Sequence, residues 1–282
     1  MAEYETDHRT ARAAFRESLA LYRQHGDERG QAWVLIHLGW LCTDSGHRMA
    51  ARRFLERALE ICERIDDRHG SARAKNLLGL LAWAAGRWSD SEQLHLDSLA
   101  ISRKLGDRWA TAWALHRLCV TRLVNVEAGR LEPAAVLDDI DEALAIWREL
   151  GDRRHFGYST TDLGVATAFQ GDHEHARAHL AEALTTFSEL DETLGRLWTL
   201  GCYARVFGAQ GKFESAVRLL AAVRRAAQTF GLDHGSVAVP FLVPLERYSA
   251  ALNAADGPGA ADAAFQAGLA MSLEHATAYV NS

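Results

Sequence analysis

Small and apolar residues recur along this chain at helical spacing, in two stripes per unit, and the unit itself repeats. In the first complete unit Leu35, Leu38, Gly39 and Cys42 fall on one helical face; Gly46 interrupts it, and Ala51, Leu55, Ala58 and Leu59 form the face of a second helix. The fourth unit repeats the scheme with Leu163, Gly164, Gly171, Ala176, Leu180, Ala183 and Leu184, and the fifth with Ala204, Gly211, Ala216 and Leu220. The junctions repeat as well: Asp27-Glu28-Arg29-Gly30 returns as Asp67-Arg68-His69-Gly70, as Asp107-Arg108-Trp109-Ala110 and as Asp152-Arg153-Arg154-His155, and more loosely at Asp191. The period is about 40 residues, and one longer interval holds an insertion near Glu127 to Leu131, placed in the turn inside the third pair just before Pro133.

Each junction reads as a stop and a start. Gly26, Gly106 and Gly151 supply the left-handed backbone that ends a helix, and Asp27, Asp107 and Asp152 follow at once to accept the orphan amide protons of the next one. Glycine inside a helix costs about 1 kcal/mol, so Gly39, Gly79 and Gly164 imply a compensating close approach of the paired helix. The pattern predicts helices near 6–24, 31–44, 47–64, 71–85, 88–104, 108–125, 133–149, 154–169, 173–189, 194–209 and 213–230, then two or three shorter ones. Ser91 and His95 replace the small and bulky apolar residues of the second unit and Cys119 replaces the glycine of the third, so looser packing is expected there.

Leu38-Gly39, Cys42, Ala51, Leu55 and Ala58 resemble the tetratricopeptide signature, with a period a few residues longer than usual. The expected fold class is all-α: a right-handed tetratricopeptide-type superhelix, or α-solenoid, with a helical C-terminal cap. Residues 1–230 are read as the repeats, a half-unit at 6–24 followed by five helix pairs, and 231–282 as the cap. The stripe Ala11, Phe15, Ser18 and Leu19 aligns with the second helix of a repeat, so its apolar face is expected to lack a partner within the chain and to favour a homodimer contact.

The tail resembles the end of the repeat region in bacterial LuxR-type and AfsR-type transcriptional regulators and related predicted ATPases. The resemblance lies in Ala216 to Ala227, Pro244 to Leu252, and the run Phe265, Gly268, Ser272, Leu273, Glu274 and Ala276. It implies a regulatory role of sensing a ligand or protein. The nucleotide-binding motif of such regulators is not found; Gly208 to Phe213 contains a Gly-Lys but neither the spacing nor the hydroxyl that cradles phosphate and Mg²⁺.

Composition narrows the function. With 48% hydrophobic and 24% charged residues, only 4 Pro and a net charge of −6, the chain suits long helices and argues against direct nucleic-acid binding. Cys42, Cys62, Cys119 and Cys202 lie far apart and read as buried, reduced thiols of a cytoplasmic protein. No stretch is long and apolar enough to suggest a membrane span; Val237 to Leu245 falls well short. His173, His175 and His179 do not complete a metal-binding pattern, and no catalytic signature or cofactor motif is present, so no catalytic residue, metal or cofactor is assigned.

What remains is the inner face formed by the first helices. Trp33, Arg73, Trp113, Tyr158 and Trp198 occupy equivalent positions along it, with Asn76, His116, Trp40 and Arg205 on neighbouring rungs and His37, Arg117 and Asp162 beside them. Two readings stand: the rings pack between neighbouring helices, or they line a groove that takes a small molecule, peptide or protein. The leading functional reading is a non-catalytic binding scaffold of a bacterial regulator. The second is a stand-alone helical-repeat protein or enzyme that holds an aromatic or lipophilic metabolite between Trp33, Trp113 and Trp198.

Overall fold

The computed structural model describes residues 2–230 and 245–281, with side chains from residue 10 to 280. Among these residues every regular element is a helix. A first helix, α1 (Ala2–Gln24), precedes five pairs: α2 (Glu28–Asp44) with α3 (Arg48–Arg64), α4 (Arg68–Ala84) with α5 (Trp88–Leu105), α6 (Arg108–Glu127) with α7 (Ala134–Leu150), α8 (Arg153–Phe169) with α9 (His173–Glu189), and α10 (Thr193–Ala209) with α11 (Phe213–Thr229). Three shorter helices follow, α12 (Leu245–Asp256), α13 (Ala260–Leu269) and α14 (Leu273–Asn281). The result is an all-α helical-repeat fold of solenoid type. Residues 231–244, which include Pro244 and most of the apolar stretch from Val237, lie outside the described residues.

The described residues fall into two compact units, 2–121 and 122–230 with 245–281. In the first, Asp27 and Asp67 start α2 and α4 about three residues earlier than the apolar stripes alone indicate, whereas α6 starts at Arg108 as expected. Asp27 accepts the Gly30 amide at 2.8 Å, Asp67 that of Gly70 at 3.2 Å and Asp107 that of Ala110 at 2.9 Å. The turn before Asp27 passes through Gly26 at φ +66°, while at the next junction Asp66 itself takes φ +52°, a conformation that Asp tolerates better than most residues.

Close helix pairing follows from the glycines. A Cβ placed on Gly39 would come within 2.5 Å of Leu55, and one on Gly79 within 2.6 Å of the His95 ring. His95 therefore sits in the second pair where Leu55 sits in the first, 1% exposed, and Ser91 beside it is fully buried with its hydroxyl 3.0 Å from that of Thr121. The looser packing expected of the second unit is not found; polar side chains fill the same space. Burial, with Arg117 and His116 nearby, pushes His95 down to about 3. α1 also differs from expectation: Leu19 is buried in the core formed with α2 and α3, and Phe15 stacks on His37 with 5.4 Å between ring centroids.

In the second unit Gly164 lies against Leu180 and the Ala176 carbonyl, and Gly195 against Phe187. The insertion near residue 127 lengthens α6 to Glu127 as well as forming the turn. α12, α13 and α14 pack on α11, with α14 also touching α10. The tail motif explains that docking: Gly268 lies against the Arg218 carbonyl of α11, Ser272 caps α14 by accepting the His275 amide at 3.1 Å, and Leu273 and Ala276 are buried.

Two consequences are measurable by unfolding. Gly164→Ala forces a Cβ to 3.1 Å from a backbone oxygen and should cost about 1–3 kcal/mol, whereas an added Cβ at Gly201 meets nothing within 4 Å, so Gly201→Ala should stabilise by up to about 1 kcal/mol. His95 titrates near 6.5 when unfolded and near 3 when folded. Between those values the unfolded chain binds the additional proton, so its contribution is lost as pH falls below 6.5, by about 1.4 kcal/mol per pH unit. In His95→Leu the unfolding midpoint should lose much of its slope between pH 6.5 and pH 4, a window the parent chain crosses with falling stability.

Candidate binding surface of the first helices

The first helices carry the residues singled out in the sequence, and each unit arranges its share differently. In the first unit Trp33 donates its indole N–H to Asp67 Oδ2 at 2.9 Å. Asp67 is 7% exposed and also caps α4 and receives Arg29 at 3.3 Å, so it is a buried acceptor joining two repeats rather than a solvated cap. In the second unit Tyr158 makes the counterpart contact, donating its hydroxyl to Glu192 at 3.3 Å; the sequence separation is 34 in both cases. The inner-position ring of one repeat thus reaches the acid that opens the next.

Arg73 holds this position in α4 and behaves differently. Its guanidinium lies 4.8 Å from the Trp109 ring centre and 4.2 Å from that of Trp113. Arg117 approaches the same Trp113 ring at 5.9 Å, and Trp40 meets it edge-on at 5.7 Å. Trp113 is buried, whereas Trp40, Arg73, Trp109 and Arg117 are half-buried and His37 is exposed. Burial first, and then the neighbouring Arg117, lower Arg73 to about 10 despite the opposing pull of Asp107. Burial and Arg73 likewise lower His37. Asn76 and His116 are buried, at 4% exposure each.

In the second unit Trp198 is buried and meets Tyr158 in a T-shaped contact at 6.0 Å, while Thr161 and Thr199 face each other at 3.0 Å. Asp162 and Arg205 are buried too. Arg205 pairs with Glu127 at 2.9 Å, and Arg247 reaches the same carboxylate at 4.0 Å. Burial opposes the charge of Arg205, but Glu127 and the surrounding acidic groups raise it overall. Burial pushes Cys202 up to about 12, with Asp162 and Glu127 acting in the same direction against Arg205. All four cysteines are free and buried.

Trp113, Trp198, Asn76, His116, Asp162 and Arg205 are therefore placed in the walls, and the accessible part of the predicted set is Trp33, His37, Trp40, Arg73, Arg117 and Tyr158. Two participants were absent from that set. Trp109 supplies half of the Arg73 stack, and its signal was a junction of Asp-Arg-Trp-Ala where the others carry charge or glycine. Glu127 left no periodic signal because it belongs to the insertion. His175, from the histidine cluster, lies 2.7 Å from the Asp172 carboxylate at the start of α9.

Tetratricopeptide-repeat family models match residues 2–64 and 158–229, and a second model of the same repeat matches 71–105. Together they span more than half of the chain, which belongs to the tetratricopeptide-repeat proteins. The chain is 25% identical over 190 residues to "Regulatory protein AfsR" of Streptomyces griseus, an alignment covering 67% of this chain and 18% of that protein's length. The chain thus resembles a repeat region of such a regulator and spans only a small part of the relative it matches. In fold alone it is similar to the crystal structure of BtubC (BKLC) from P. vanneervenii, at 18% identity and a TM-score of 0.56 over 80% of this chain and 93% of that one. Among the described residues no helix is long and apolar enough to cross a membrane.

The Glu127–Arg205 pair yields a stability test, since its side chains are only 17% and 8% exposed. Removing one partner strands a buried charge, so Glu127→Gln should cost about 3 kcal/mol in chemical unfolding. The joint change Glu127→Leu with Arg205→Met should recover most of that loss, because a well-packed apolar pair carries no desolvation penalty.

Proposed function

We propose that this chain is the binding segment of a bacterial regulatory protein and acts in the cytoplasm. Its first-helix surface receives a ligand or a protein partner and passes occupancy to the rest of the regulator. The observation that carries this reading is the likeness to a regulatory protein across two thirds of the chain. Tetratricopeptide repeats as a class serve as binding scaffolds whose first helices form the recognition surface, and here that surface presents aromatic edges and cations in the first unit. Trp40 and His37 are the open groups best placed to touch a partner, while Trp113 behind them fixes the stack.

The test is genetic. A chromosomal deletion of the gene should change a defined set of transcripts at least several-fold. The double substitution Trp40→Ala with His37→Ala should reproduce much of that change while the protein accumulates to its normal level. Unchanged transcripts in the deletion strain would remove the regulatory reading. A normal profile in the double variant would move the binding surface elsewhere on the chain.

A further inference from the structure

α1 takes the place of a second helix, and residues 1–282 hold no first helix to pair with it. Its stripe can be compared, position by position, with those of the five second helices that do have one. Phe15 corresponds to Leu55, His95, Ile140, Leu180 and Leu220, all at most 1% exposed, whereas Phe15 is only half-buried. Leu21 is 51% exposed where Ile61 is 2% exposed, and Tyr22 is exposed where Cys62 is fully buried. Ala11 and Ser18 are half-buried where Ala51 and Ala58 are fully buried.

The difference lies in what covers these positions. Gly39 lies over Leu55, Gly79 over His95 and Gly164 over Leu180, each from the first helix of the same pair. The exposure continues onto α2. His37 corresponds to Leu77 of α4, which is buried, yet His37 is exposed and stacks on Phe15. One patch therefore runs along α1 and onto α2, apolar where its counterparts are core, and contiguous apolar surface of this kind marks interaction sites.

We propose that this patch docks an amphipathic helix of a partner protein, laid along α1 as α2 is laid along α3. This rests on the binding role proposed above and gives that role a partner. The repeat specifies the helix. It carries glycine opposite Phe15, because a Cβ on Gly39 would already come within 2.5 Å of Leu55, and phenylalanine is bulkier than leucine. It carries apolar or small residues one turn to either side, as Leu35 and Cys42 flank Gly39 and are buried. Its flanks are acidic, since the described side chains of α1 include Arg12, Arg16 and Arg23 against Glu17 alone, and opposite charge steers and registers an interface. Recognition is then of the helix-in-groove kind, with the anchors at helical spacing.

The probe is a labelled synthetic peptide copying residues 27–46 with Cys42→Ser. It contains the Gly39 pattern and three acids, Asp27, Glu28 and Asp44, against Arg29. Titrated with the full chain and followed by fluorescence anisotropy, it should bind saturably. The same peptide with Gly39→Leu should bind at least tenfold more weakly. In the chain, Leu21→Glu should weaken the parent peptide at least tenfold and Phe15→Ala should weaken it as well. Leu190→Glu, an equally exposed apolar position in the other unit, should leave binding unchanged. Leu21 is exposed enough for its variant to fold, which circular dichroism checks, so the test stands even where Phe15→Ala is unstable. Undiminished binding by Leu21→Glu would place the peptide elsewhere, for instance on α3 in exchange for α2, and would overturn the proposal. So would absence of saturable binding, or equal affinity for the Gly39→Leu peptide. Light scattering adds a further outcome: a dimer of the parent chain that Leu21→Glu dissociates would mean that a second copy covers the patch, and the proposal fails. The transcript experiment is independent, because a regulator that ignores the peptide loses only this docking face.

Discussion

In three of the five pairs the helices stand as close as they do because a glycine of the first gives its side-chain volume to a bulky residue of the second. Gly39 receives Leu55, Gly79 receives His95 and Gly164 receives Leu180. A second set of contacts works between repeats, where Gly70 receives Cys62 and Gly195 receives Phe187. Interiors of this density transmit changes of a single methyl group, so the paired spacing is fixed by these few positions. The cost in helix propensity is about 1 kcal/mol per glycine, and the buried side chains seated against them offset it. The polar inner stripe of α5 obeys the same geometry: shape is kept at His95 while chemistry changes.

That spacing decides which first-helix residues can meet anything from outside. With helices this close, rings at the inner position touch their neighbours, and Trp113 and Trp198 become wall. Side chains long enough to pass beyond the rings, such as Arg73 and Arg117, stay partly in solvent. Two arginines of the first helices are held differently. In the second unit Arg205 pairs with Glu127 within the fold; in the first the Arg73 guanidinium lies over the rings of Trp109 and Trp113.

The fold was legible because it is written locally and repeatedly. Asp27, Asp107 and Asp152 mark where helices begin, the small-residue stripes mark which faces pair, and neither depends on distant parts of the chain. Helix starts shifted by a few residues only because a capping aspartate recruits the polar turn after it, which an apolar stripe does not register. The binding surface was half legible. The equivalent positions identified the row, but burial depends on how far each ring leans onto its neighbour, and that is a property of spacing rather than of type. His95 reads in sequence as a break in the pattern, and only the cavity beside Gly79 shows it to be an ordinary occupant. Glu127 was illegible for the opposite reason: an inserted residue has no counterpart from which a role can be inferred.

The acid at the start of each repeat has a further consequence. Asp67 and Glu192 are interchangeable in charge, and Asp107 holds the same place, whereas the residue that faces the acid varies from Trp33 to Arg73 to Tyr158. An acid kept in this place while the residue opposite varies permits excision or duplication of one period that leaves the same charge at the seam. Were residues 67–106 lost, Trp33 would meet Asp107 in place of Asp67. Such a chain can change its length in evolution by unequal recombination while each new neighbour still finds an acid opposite.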